Sequence, residues 1–212
     1  MSFQLRGGAI TGGMVTPAHA FFNWAILRKW FHPWWVVAGS VLPDAPPFVA
    51  FFYLLAQKGI NPPSMGGFFG FVMANGNPNR QPGFMEISFL LNALPLYALV
   101  GILVLVWRKD WLSALWAGWG LHIVEDFLTH VEDAYAPLYP FFQEWRPPGI
   151  VSYWDPRYGA ESFQAIQYSV AGLILAWIFG KRLLARRRVS ASREEEAPQE
   201  RSRDGENPRK GA

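Results

Sequence analysis

The chain has 212 residues, a formal net charge of +3 and no cysteine, which excludes disulfides, thiolate metal sites and cysteine nucleophiles. Aromatic residues make up 17% of it, including 11 Trp, and many flank apolar runs, where indole and phenol rings favour the headgroup layer of a bilayer. The mean hydropathy of +0.08 averages two unlike regions, because about half of the Lys and Arg residues follow Phe179. These basic residues lie beside an apolar segment rather than along a reading helix, which points to anionic lipid headgroups and away from nucleic acid.

In chain order, Thr16-Pro17-Ala18-His19 supplies a helix start signal within the short apolar segment Val15–Leu27. That segment is a tilted span, a half-helix or an interfacial helix. Four longer stretches, Trp34–Leu55, Ile87–Trp107, Trp111–Val131 and Phe163–Leu184, approach or reach the roughly 20 apolar residues that cross a hydrocarbon core. No internal repeat divides the chain. The expected fold is all-α: a polytopic transmembrane bundle of four or five helices over residues 1–188, followed by a charged cytoplasmic tail over residues 189–212. The tail runs Ser-Arg-Glu-Glu-Glu-Ala-Pro-Gln-Glu-Arg after Ala191 and has almost nothing apolar to bury, so it is expected to be disordered.

Orientation follows from Lys and Arg, which short cytoplasmic loops retain. Arg28 and Lys29, Arg108 and Lys109, and the cluster Lys181, Arg182, Arg186, Arg187 and Arg188 fall on one side if the four long spans alternate. The Pro/Gly-rich loop from Lys58 to Glu86 and the aromatic loop from Glu132 to Ser162 then face outward. A multi-pass membrane protein with its C-terminus in the cytoplasm is expected.

Ionisable groups inside spans are costly and need partners or a wet pocket. Here they are concentrated. His122, Asp126 and His130 recur at i, i+4, which puts them on one helical face. An imidazole and a carboxylate one turn apart can share a divalent cation, or can tie helices together by a hydrogen bond. His19 lies in an apolar segment, and Asp44 lies among Pro43, Pro46 and Pro47, which break a helix and free backbone groups. Depth estimates of roughly 13–17 Å from the helical rise let His19, Asp44 and His122 meet near mid-membrane. Glu125 and Thr129, on a neighbouring face, are expected to hydrogen-bond to ligands. His32 is expected at a membrane boundary, and Asn75, Asn77 and Asn79 in turns.

These residues carry a family resemblance. Thr16-Pro17-Ala18-His19, Leu42-Pro43-Asp44 and His122-Ile123-Val124-Glu125-Asp126 resemble the ordered motifs of small bacterial inner-membrane proteins classed as metal-dependent hydrolases, a group that includes a member regulated by the DNA-damage repressor. The run Asp126-Phe127-Leu128-Thr129-His130-Val131-Glu132-Asp133, then Pro140-Phe141 and Val151-Ser152-Tyr153-Trp154-Asp155-Pro156-Arg157-Tyr158, resembles a subgroup with Thr-His-x-x-Asp and Ser-x-Trp-Asp-Pro signatures. The resemblance implies a divalent cation, zinc or similar, held by His19, Asp44, His122 and Asp126, with His130, Asp133 and Asp155 as outer members. It departs from the family in the segment Glu86–Pro95, which offers Ser88 and Asn92 where relatives often carry a further histidine.

Two functions from different classes follow. One is a membrane-embedded hydrolase of a lipid or other amphipathic ester or phosphoester, with Asp126, Glu125 or Asp44 accepting the proton. The other is a non-catalytic scaffold or assembly subunit of a larger membrane complex, with a structural His/Asp cluster. Membrane lipids are the expected partners in both. A small transporter is a third reading, disfavoured because no inverted repeat is visible.

Overall fold

The computed structural model describes residues 16–58, 83–131, 134–153 and 155–205. Asn75, Asn77, Asn79 and Asp133 lie outside the described residues. The fold is all-helical, with no strand among the described residues. The chain divides into two units, residues 1–165 and 166–212.

In the first unit, α1 (Thr16–Leu27) is only 12 residues long, about 18 Å at the helical rise. Its buried residues are His19 and Asn23, so the polar side chains face inward. The expected span Trp34–Leu55 is not one helix. It is α2 (Pro33–Val41), a 3-10 turn over Leu42–Asp44, and α3 (Ala45–Lys58). Pro43, Pro46 and Pro47 cannot donate to the helical ladder, and the chain tightens there instead of continuing. His32 caps α2 with extended backbone and is exposed.

The span Ile87–Trp107 is likewise divided, into α4 (Phe84–Leu91) and α5 (Leu94–Trp107). Pro95 has no N–H for the carbonyl of Leu91, four residues earlier. Trp119 replaces it by donating its indole N–H to that carbonyl at 2.7 Å. Trp116 donates to the carbonyl of Tyr97 at 3.0 Å and stacks on the Tyr97 ring. The break in one element is thus met by aromatic donors from another.

That other element is α6 (Asp110–Thr129), the 20-residue helix that carries the ionisable face. It packs closely on α2. A Cβ added at Gly118 would lie 2.2 Å from the Val36 carbonyl oxygen, and one at Gly39 would lie 1.9 Å from that of Leu115. Only glycine lets these backbones touch, as small residues do between membrane helices. The helix ends at Thr129, so His130 is not its last helical residue but an extended C-cap. The following strap returns along this end: Gly149 donates to His130, Ile150 and Val151 to Leu128, and Tyr153 to Thr129. These bonds satisfy carbonyls that a helix C-terminus leaves open.

The helix α7 (Ala160–Gly205) begins at the end of the first unit and supplies the second. Its stretch Ala160–Arg187 is long and apolar enough to cross a membrane, the one such helix among the described residues. Beyond residue 188 the backbone is helical to Gly205. Glu, Arg, Gln and Ala are good helix formers. Lack of apolar surface argues against docking of such a segment, not against helix within it.

Candidate metal centre

His19 on α1, Asp44 in the 3-10 turn, His122 and Asp126 on α6, and His130 at its cap come together in one cluster. A ring nitrogen of His19, one of His122 and an oxygen of Asp126 lie within 4.8 Å of one another, and all three residues are buried. The Nε2 atoms of His122, His19 and His130 lie 3.2, 3.4 and 3.5 Å from Asp126 oxygens, and His122 Nε2 is 3.6 Å from Asp44 Oδ1. The imidazoles of His19 and His122 overlap with centroids 4.1 Å apart.

Hydrogen bonds at the far ring nitrogens set the tautomers. The Ser40 carbonyl can only accept, so His122 Nδ1 donates to it, at 2.7 Å. His19 Nδ1 faces Glu125 Oε2 at 2.6 Å and donates to that carboxylate. In the neutral rings both Nε2 atoms then carry lone pairs toward Asp126. His122 Nε2 is fully buried and has no hydrogen-bond partner among the described residues, despite the carboxylates nearby. Lone pairs aimed at carboxylates repel unless a positive charge lies between them.

A divalent cation meets that need. Zinc with bonds of about 2.0–2.2 Å keeps tetrahedral ligand atoms about 3.3–3.6 Å apart; His19 and His122 reach different oxygens of Asp126 at 3.4 and 3.2 Å, and one donor atom from each of the three residues fits within 4.8 Å. His19, His122 and Asp126 can hold a metal ion. Asp44 lies beside this set. Its other oxygen accepts from the Thr16 hydroxyl at 2.6 Å, which fixes the carboxylate.

No family model, curated protein or solved structure matches the chain.

The remaining site candidates divide. Glu125 touches the cluster through His19, and Thr129 donates to the Glu125 carbonyl at 2.9 Å, one turn back on α6. His130 sits between the rings of Tyr135 and Tyr153. Asp155 is engaged elsewhere. It caps the 3-10 turn Pro156–Tyr158 and pairs with Arg157 at 2.6 Å, and that hydrogen-bonded guanidinium holds its carboxyl below the usual carboxylate range.

Two participants were not expected from the sequence. Thr16 signals a helix start, yet it also lies one turn before His19, on the same face. Ser40 contributes a main-chain carbonyl, which no residue type announces.

Proposed function

We propose that the chain is a multi-pass protein of the bacterial inner membrane, of the metal-dependent hydrolase kind its motifs resemble, acting on a lipid or other amphipathic ester or phosphoester. The observation that carries this reading is a buried cluster of histidines and carboxylates enclosed by helices whose outer faces are apolar. On α5 Leu99, Ile102, Leu103, Leu105 and Val106 are exposed, while Gly101 and Val104 are buried. On α1 His19 and Asn23 are buried and Ile26 is half-exposed. Small and polar inside with apolar outside is the pattern of helices solvated by lipid. The spans are then α2 with α3, α4 with α5, α6, and the Ala160–Arg187 stretch of α7, with α1 entering part-way. Arg28, Arg108 and Lys181 mark the cytoplasmic side.

A divalent cation at the cluster supplies an acidified water and polarises the scissile bond. The chain's residues provide the rest. His19, His122 and Asp126 bind the ion, and Glu125 and the Ser40 carbonyl hold the imidazoles with Nε2 inward. Asp44, tethered by Thr16, is placed to take the proton from water.

The expected result is zinc-dependent hydrolysis of an amphipathic ester or phosphoester in mixed micelles, abolished in His122→Ala and in Asp126→Asn. Zinc binding without turnover of either substrate class would favour the scaffold reading. One observation favours that second reading. The cavity beside Asp126, of about 10 Å³, is the size of a water and not of a substrate.

A further inference from the structure

Behind Asp126 lies a cavity of about 10 Å³ lined by Asn92, Ile123, Asp126, Phe127, Ala134 and Tyr135. Asn92 occupies the break between α4 and α5 and is 2% exposed. Its Nδ2 donates to the Ser88 carbonyl at 3.1 Å, which fixes the amide. Its Oδ1 is buried and has no hydrogen-bond partner among the described residues. A buried acceptor without a donor costs about 1–3 kcal/mol, so the atom calls for a partner that protein groups do not supply.

We propose that this cavity is a site for one water molecule, a double donor held between Asn92 Oδ1 and the Asp126 carboxylate, and that Asn92 is thereby a positioning residue for Asp126. Size and chemistry agree. The volume is about that of one water sphere, and apart from Tyr135 the remaining lining is apolar. Asn92 and Asp126 both line the cavity and carry acceptor oxygens, and water offers two donors to bridge them. The bridge steadies the carboxylate whose oxygens face His19, His122 and His130, as partners behind metal ligands do. This second half rests on the metal-site reading; the water itself does not.

Short-pulse X-ray hydroxyl-radical footprinting of the detergent-purified chain tests the water directly. Ile123 is 3% exposed and is oxidised only by radicals born inside the cavity. Labelling of Ile123 in wild type and its loss in Asn92→Leu are expected; an unlabelled Ile123 beside a labelled, exposed Phe141 would overturn the proposal. Zinc affinity of the variant should fall about tenfold or more, and unchanged affinity would overturn the positioning role. A wild-type chain that binds no zinc would count against the metal site instead, with the footprint still deciding the water.

Discussion

Glu125 stands behind His19 and, at 2.6 Å from Nδ1, decides which nitrogen faces Asp126. Replacing it by Gln keeps the volume and removes the charge that makes the imidazole a better ligand. Glu125→Gln should weaken zinc binding by about 10–100-fold, measured by competition with a chromophoric chelator; an affinity within experimental error of wild type would contradict the role. Asp155 makes a different prediction. Its folded pKa is depressed by Arg157, so the pair's stabilisation is present above the ordinary carboxylate pKa and is lost as pH falls through the lower folded value. The Tm difference between wild type and Asp155→Asn should be steady near neutrality and shrink in acid, and small throughout, because Arg157 is largely exposed. A difference that grew on acidification would contradict the pairing. At this scale His122 and Asp126 were legible because a helical period of 3.6 puts them on one face. His130 reached Asp126 by another route, as a cap. The Ser40 carbonyl was illegible, since any residue there would offer the same atom.

Among elements, the contact of α2 with α6 positions the site. Gly39 and Gly118 let the backbones meet, and that closeness brings the Ser40 carbonyl onto His122. Gly118→Ala should force the helices apart, costing about 1–3 kcal/mol and weakening zinc binding as well. Thermal unfolding in detergent and zinc titration check both; an unchanged Tm would mean the approach is looser than the geometry requires. Apolar runs showed where the helices lie, and the prolines around Asp44 marked one break, but the break before Pro95 was not read from the sequence. The breaks at Pro43 and Pro95 depend on local ladder chemistry, and the capture of the Leu91 carbonyl by Trp119 depends on a tertiary neighbour that no local pattern reveals.

For the whole molecule, the topology proposed from charge asymmetry would put the loop between α6 and α7 outside and the end of α7 in the cytoplasm. A chain without cysteine makes that easy to check. Glu144→Cys, at an exposed position, should react with an impermeant maleimide from the periplasmic side, and Arg187→Cys only after the membrane is opened; the reverse pattern would overturn the topology. All-helical architecture was legible from apolar run length, while multi-pass topology rests on faces that carry no charge. The idea that most needs testing is that His19, His122 and Asp126 hold one divalent ion. Zinc K-edge X-ray absorption of the purified, zinc-loaded chain measures this directly. One zinc per chain is expected, with two imidazole nitrogens and carboxylate oxygen at about 2.0–2.2 Å, and this spectrum should be absent from His122→Ala. Substoichiometric zinc, or a coordination shell without imidazole, would contradict it.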